Sequence, residues 1–593
     1  MAKLQGPTEV GRKRGATERE LSIKWYTRAN ESLMSPKMRP VQIWRVLFVL
    51  SFVGACQGQA PLIAYRGIYN AASNVPGGLP AGAIARGSIF TITGKNLGPA
   101  STPDLSDPLA TTLGEVSITV TQGSTTVNAI PLTLSAGAVT AIMPSNAPMG
   151  AVSLRLTYKN VRSNPMPVRV TASQFGIYTA NTLGNGPARA QNDNGDGTTT
   201  GNTLQTPAHP GQTVYLPGTG LGAVPLDTAA NPDTSNLTVK TEVFVGGVSA
   251  QVLSNGRRGP GADQIGFVIP DAAPGGCWTP VYVRTAGTAV SNFATLSISA
   301  DGSPCQEPNN VLANALINGG NIGSYAAARI NMRHDAGART PRDATTDMFG
   351  AYEAQEVAGP ANFNPMFSLP PAGTCTAYTA FGDLTQDPTA LIGGFTPPTG
   401  NPLDSGGATL TGDKGSKTAQ QGSYPGMGVV QLGGAIPSLP LTNRTFLDSG
   451  GGTAATPGGN DIGSSSTDSP VPQPFTWTNR DQVLAITLSK GLTVNWSGGD
   501  PASSTFIVVA GVDLPANASA AALCIVPQGN TSFTVPPDVL ANLPVTHIRA
   551  VQSRGVVYVG QWNIGSPASV SAAGLDFGAF VPIFAGAKTV SFQ

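Results

Sequence analysis

The feature that most restricts this chain is a repeat. "GSIFTITGKNLG", Gly87 to Gly98, is written again as "GQTVYLPGTGLG", Gly211 to Gly222. Each copy is an apolar strand that runs into a Gly-rich turn. Two more anchors come in the same order. "AIMPSNAPMG", Ala141 to Gly150, is answered by "FVIPDAAPGG", Phe267 to Gly276, and Ser163-Asn164 before "MPVRV" is answered by Ser291-Asn292 before "ATLSIS". Ordered anchors at near-constant spacing mean one module written twice. Alternation in "VSITV" and "VFVGGVSAQVL" gives each copy the short strands of an Ig-like sandwich of about 100 residues.

The rest of the chain keeps the same texture. Gly 73 and Pro 50 punctuate short runs rich in Val, Thr and Ile, and helix formers are sparse, so the expected class is all-β. A length of 593 residues allows roughly three or four domains. The expected architecture is two tandem Ig-like sandwiches, residues 61–172 and 173–300, followed by a larger C-terminal β-sandwich, 301–593. Within the last, the Gly/Ser/Pro-rich tract 447–474 is expected to be a long loop, because it offers little to bury. "VLAITLSKGLTVNWSGGDP" reads as a hairpin with Leu484, Ile486 and Leu488 on one arm and Leu492, Val494 and Trp496 on the other. "PDVLANL" is the expected single short helix.

Lys+Arg 34 balance Asp+Glu 33, and only 11% of residues are charged, which excludes a nucleic-acid binder. A basic-hydrophobic block, Met38 to Cys56, carries Arg39 and Arg45 before the apolar run Val46–Val53 and small residues Gly54-Ala55, the pattern of a secretory signal peptide over 38–60. That core is too short to span a bilayer, so no transmembrane span is expected after signal removal. The polar residues 1–37 read as an extension or a mis-assigned start, with Met34 or Met38 the initiator. Cys56 after Val53-Gly54-Ala55 resembles a bacterial lipobox, which would make an acylated outer-membrane lipoprotein. The alternative is an ordinary cut near "QGQA", although Pro61 directly after Ala60 obstructs cleavage there. Both readings export the chain to the cell surface, the periplasm or the medium.

In an exported chain the remaining Cys277, Cys305, Cys375 and Cys524 suit two disulfides. We expect Cys277 with Cys305, pinning the end of the second module to the start of the C-terminal unit, and Cys375 with Cys524, tying early and late strands of that unit.

The ordered motifs "IYNAAS", "GSIFTITGKNLG", "FGIYTANTLGNGPARAQNDNGDGT", "PGQTVYLPGTGLG" and "VFVGGVSAQVL" resemble the uncharacterised extracellular Ig-like domain family of acidobacterial (Solibacter-type) surface proteins, related to IPT/TIG domains. The similarity runs from about Arg66 to Ser299. "FTWTN", "WSGGDP", "FTVPPDVLANLP" and "GLDFGAF" resemble the C-terminal portion that accompanies those modules. The resemblance implies paired Ig-like sandwiches on an exported protein and no assigned activity.

Candidate chemistry is thin. Gly218-Thr219-Gly220-Leu221-Gly222-Ala223 matches a dinucleotide fingerprint, but Pro225 and Pro232 interrupt the helix that must follow it, so a tight inter-strand turn is expected instead. Asn192, Asn194 and Asp196 before Gly197 look like the start of a calcium loop, yet Thr203 stands where the bidentate acid belongs. His209, His334 and His547 are scattered, with no HExxH or G-x-S-x-G motif. Asp500 and Asp576 are the carboxylates a glycosidase would need to bring together. Trp477 and Trp562 are candidate glycan contacts, whereas Trp496 alternates with Leu492 and Val494 and reads as core. No cofactor is expected. The sequence points to an exported, non-enzymatic structural or adhesive binding module whose partner is a polysaccharide or another surface protein. The alternative is a carbohydrate-active enzyme or carbohydrate-binding component with its site in the C-terminal sandwich.

Overall fold

The computed structural model describes residues 59–228, 236–334, 342–384, 400–422, 425–434, 447, 452–469, 473–546 and 553–593. Cys56, the leader-like block up to Gly58 and His547 lie outside the described residues. The fold is all-β: two tandem Ig-like sandwiches followed by a larger sandwich.

The first module consists of β1 (Leu62–Asn70), β2 (Ile89–Lys95), β3 (Val116–Gln122), β4 (Thr125–Leu134), β5 (Ala138–Ile142), β6 (Gly150–Tyr158) and β7 (Met166–Thr171). They are hydrogen-bonded in the order β1-β2-β5-β4-β3-β6-β7. The second comprises β8 (Gln191–Asp193), β9 (Thr199–Gly201), β10 (Thr213–Thr219), β11 (Thr241–Val245), β12 (Val248–Gly259), β13 (Ala262–Val268), β14 (Gly276–Thr285) and β15 (Ala294–Ile298). A two-residue strand, Gly176–Ile177, pairs with β10 as β1 pairs with β2, and from there the order β10-β13-β12-β11-β14-β15 repeats β2-β5-β4-β3-β6-β7. Register agrees as well: Phe90 faces Ala141 in one module and Val214 faces Phe267 in the other. Alternate residues Ile118, Val120, Leu154 and Leu156 fill the first core, and Val243, Val245, Val281 and Val283 fill the second.

The repeated Ser-Asn pair acts as a clamp. Asn164 accepts from the Ile63 amide (2.8 Å) and donates to the Ile63 carbonyl (3.1 Å); Asn292 does the same to Ile177 at 2.8 and 3.1 Å. Each preceding serine accepts from the backbone of the neighbouring strand, Ser163 from Leu156 and Ser291 from Val283. A side-chain amide thereby replaces the missing ladder partner of the first strand, whose buried backbone groups would otherwise be unpaired.

The C-terminal unit opens with α1 (Ala313–Asn318). It continues through β16 (Gly320–His334), β17 (Arg342–Glu356), β18 (Cys375–Phe381), β19 (Thr409–Gly412), β20 (Gly415–Thr418), β21 (Met427–Gly434), β22 (Gly452–Thr456) and β23 (Ser465–Ser469). Next come β24 (Phe475–Trp477), β25 (Leu492–Gly498), β26 (Ser504–Asp513), β27 (Ala518–Val526), β28 (Ser532–Val535), α2 (Pro537–Leu540), β29 (Ser553–Trp562), β30 (Ala568–Ser569) and β31 (Phe577–Phe592). A 12-stranded sheet carries the long strands in the order β18-β27-β26-β29-β31-β16-β17-β21. A 3-stranded sheet, β24-β25-β28, packs on it, and a 4-stranded sheet, β20-β19-β22-β23, extends it.

Three expectations are corrected here. The tract 447–474 is not a plain loop: β22 and β23 pair within it, and Leu447, Ala454 and Ile462 are buried. The hairpin of 483–501 does not form: Ala485–Ile486 pairs in parallel with Ser591–Phe592, Leu484 is exposed, and β25 pairs with β24 and β28. Alternation marked the strand correctly but could not choose its partner. Among the described residues there are two α-helices rather than one, α1 being the addition.

The sandwiches are not beads on a string. One apolar cluster joins Val75 and Leu79 of the first module, Tyr282, Val290 and Phe293 of the second, and Val539, Leu540 and Leu543 around α2. At about 1.5–3 kcal/mol per large buried side chain, this seam is a substantial part of the fold. Polar contacts reinforce it: Arg284 pairs with Asp538 (2.9 Å) and Glu242 (3.1 Å), Tyr282 donates to Asp538 (3.0 Å), and Arg284 lies 4.8 Å from the Phe244 ring centre.

Candidate functional site

The Gly-rich turn of the second module binds an anion, and the anion is its own. Gly220 and Leu221 amides donate to Asp263 Oδ2 at 2.7 and 2.9 Å, and Arg257 Nε meets Oδ1 at 2.6 Å. Both side chains of this ion pair are essentially inaccessible. Desolvation pushes the Asp263 carboxyl up, opposed by Arg257 and the two amides. Arg257 also donates to the Gly222 carbonyl (3.0 Å), next to Gly87 of the first module, where a Cβ would stand 2.7 Å from that same oxygen. The loop that resembled a nucleotide cradle is thus an internally filled joint between modules.

The calcium candidates are likewise engaged. Asn192 is buried, donates to the Thr206 carbonyl (2.9 Å) and accepts from Asn202 (3.2 Å). Asn194 bonds Thr198 and Thr200, and Asp196 Oδ1 accepts from the Thr198 amide and hydroxyl at 2.9 and 2.6 Å. Those bonds hold the exposed Asp196 carboxyl below its ordinary range. This is the turn of the β8–β9 hairpin, its polar groups directed into the turn rather than at a common point.

Both disulfides form in the expected pairing, Cys277–Cys305 and Cys375–Cys524. The latter bridges directly opposed residues of β18 and β27. Cys277, Cys305 and Glu307 lie within 4.8 Å of one another, but the cysteines are bonded and cannot serve as thiolate ligands. Glu307 accepts from the Cys277 amide (2.8 Å), and burial pushes its carboxyl up.

Asp500 and Asp576 are not brought together. Asp500 closes its own turn, accepting from Ala502 N and Ser503 Oγ, and its amide donates to Gln561 (3.0 Å), which faces Phe584 of β31. The stretch from Phe584 to Asp576 is roughly 26 Å of extended chain. Glycosidase carboxylates stand only about 5–9.5 Å apart. Two buried carboxylates the sequence reading missed, Glu353 and Glu356, sit on opposite faces of β17; Tyr325 and Ser405 donate to Glu353 (2.7 and 2.6 Å), and Tyr352 donates to Glu356 (3.1 Å). Burial pushes Tyr178 and Tyr558 up to about 12. His209 is exposed, its ring 2.9 Å from the Pro210 carbonyl, and His334 ends β16.

Trp477, a candidate glycan contact, is a core residue at 4% exposure, as is Trp496 opposite it. Its ring faces the 12-stranded sheet because β24 places alternate residues inward. Trp562 is half-buried and tilts against Phe506, ring centres 4.7 Å apart. Among the described residues the exposed aromatic side chains are Tyr65 and Phe381, which share one seam: Tyr65 donates to the Pro515 carbonyl, and Phe381 meets Tyr69 edge-on at 5.4 Å.

An open groove of about 460 Å3 lies in the C-terminal sandwich. Its floor is Leu312, Val570 and Ala579, all buried. Its wall is the β29–β31 connection, fixed by backbone bonds from Val570 N to Gly578 O (3.0 Å), Asp576 N to Asn321 O (3.0 Å) and Leu575 N to Ala572 O (3.2 Å). Ser566, Ser569, Ser571 and Asp576 form an exposed rim. In sequence this is "GSPASVSAAGLDFG", of which Asp576 stood out only as a candidate carboxylate and the serines read as ordinary turn text.

No family model and no curated protein matches the chain. Among solved structures it is similar to a tetra-tandem repeat from the extending region of a large adhesion protein (13% identity, 88% of this chain and 98% of that chain, TM-score 0.12). It is also similar to SGBP-B of a Bacteroides ovatus mixed-linkage glucan utilization locus (12% identity, 51% and 66%, TM-score 0.20) and to SGBP-B of a Bacteroides uniformis xyloglucan utilization locus (11% identity, 65% and 88%, TM-score 0.16). At these scores the likenesses carry no argument about function. No described helix is long and apolar enough to cross a membrane.

Proposed function

We propose that the chain is an exported, non-enzymatic binding protein of the cell surface or periplasm, acting as a rigid adhesive or structural module. The observation that carries this reading is the fate of the reactive-looking groups: the Gly-rich loop, the calcium-like turn and the buried ion pair are all satisfied internally and serve joints and turns. Two disulfides support an oxidising compartment. A shared apolar seam that locks three sandwiches together supports a load-transmitting or ligand-presenting body. Kinship with the acidobacterial surface proteins belongs to this proposal, as does lipidation at Cys56. A carbohydrate-binding role in the C-terminal sandwich is favoured by the groove there. Protease shaving of intact native-host cells tests the export claim: peptides from residues 61–593 released without lysis agree with it, and recovery only after lysis of all membranes contradicts it.

A further inference from the structure

We infer that the groove of the C-terminal sandwich is a binding site for a short neutral oligosaccharide, an inference that rests on the binding-module reading and names its ligand. The groove's volume, about 460 Å3, falls within the range of about 300–1,000 Å3 typical of small-molecule sites. Its chemistry is divided in two. The floor is apolar, Leu312, Val570 and Ala579, with the Phe577 ring beside it. The rim carries the hydroxyls of Ser566, Ser569 and Ser571 and the carboxylate of Asp576. A pyranose has the matching division, a C–H face that packs on apolar surface and an edge of hydroxyls that both donate and accept.

The rim is free for such bonds. Asp576 Oδ2 accepts from the Asn321 amide (2.9 Å), while Oδ1 and the three serine hydroxyls make no hydrogen bond among the described residues. That distinguishes the serines from Asn192, Asp263 and Glu353, whose side-chain polar atoms are all engaged. The wall is preorganised by its backbone bonds, so a ligand need not order it.

Other ligand classes fit worse. No cationic side chain lines the groove, which disfavours phosphates and acidic sugars. A single carboxylate oxygen cannot supply the six or more ligands of a calcium ion. The wall's own bonds already take the Val570, Leu575 and Asp576 amides, and its one strand, β30, is two residues long, which disfavours an extended peptide.

The test is titration calorimetry of the mature chain against a panel of neutral di- to tetrasaccharides, with acidic counterparts alongside. Two variants accompany it, with melting temperature as the folding check. Ser571→Trp fills the groove from an exposed position that bears no bond, and it should abolish binding. Asp576→Asn keeps an oxygen for Asn321 but loses the charge, and it should weaken binding on the order of tenfold. Preference for acidic sugars, no binding of any neutral sugar, or binding that Ser571→Trp leaves unchanged would each overturn the assignment. In the last case sugar binding elsewhere leaves the binding-module reading intact and removes only this site; surface exposure is tested separately by shaving.

Discussion

Replacing Asp263 by alanine attacks the joint between the two modules at its most concentrated point. The wild-type carboxylate answers three donors at once: Gly220 N (2.7 Å), Leu221 N (2.9 Å) and Arg257 Nε (2.6 Å). With it gone, Arg257, at 1% exposure, keeps only the Gly222 carbonyl. Removing one partner of a buried ion pair costs about 3–5 kcal/mol, because a buried charge is left without its counter-ion. The two loop amides add about 1–3 kcal/mol each where no water replaces the carboxylate. We expect Asp263→Ala to lose at least about 4 kcal/mol in urea unfolding followed by fluorescence, with the Gly220 and Leu221 amides exchanging faster with deuterium. The double variant Arg257→Met/Asp263→Leu removes the orphaned charge but not the orphaned amides, so its loss should be smaller than the sum of the single variants. A loss under about 1 kcal/mol for Asp263→Ala, or strict additivity in the cycle, would refute the reasoning.

The Ser-Asn clamps give a matched pair: Asn292→Ala removes three bonds from a buried site, including one to the Gly184 carbonyl, and should cost about 3 kcal/mol, while Asn164→Ala removes two at a half-buried site and should cost about 1–2 kcal/mol, equal or reversed losses in denaturant titration being the contrary result. Arg284 holds the Glu242 carboxyl below its ordinary value of 4.5 through their hydrogen bonds, so this pair's stabilisation is full above that value and fades as pH falls through the folded pKa beneath it. The melting-temperature gap between wild type and Arg284→Met should therefore narrow from pH 6 to pH 3, and a constant gap contradicts the assignment. Replacing Cys277 and Cys305 by alanine should cost about 4 kcal/mol and replacing Cys375 and Cys524 about 5 kcal/mol on chain-entropy grounds, measured as changes in the urea midpoint at constant slope; the second pair proving the milder loss would set that reasoning aside.

The duplicated module was readable in the sequence because its signals are local. Strand alternation, the Gly-rich turn and the Ser-Asn pair each act within or beside their own strand, so the matching letters at Ser163-Asn164 and Ser291-Asn292 yielded matching bonds. What failed was partner choice across distance. Ile486 finds Phe592 rather than the nearby β25, a pairing no local pattern encodes. The tract at 447–474 looked empty of core, yet a few small residues such as Ala454 suffice when Thr and Ser pair across strands, as Thr456 does with Ser465 (2.9 Å). Tryptophan type drew attention to Trp477, while burial depends on which face of β24 turns inward. Of the groove only Asp576 drew notice, and for a different role, since three serines and an aspartate in turn text gain significance only when a floor lies beneath them.

On the function proposed above, this chain binds its ligand without transforming it. The most direct measurement is to incubate the mature protein with immobilised and soluble neutral polysaccharides, reading retention of the protein and release of new reducing ends from the same samples. Binding without chemistry gives saturable retention with no reducing ends above the protein-free control. Reducing ends that accumulate with time and protein concentration would contradict it and make the chain an enzyme.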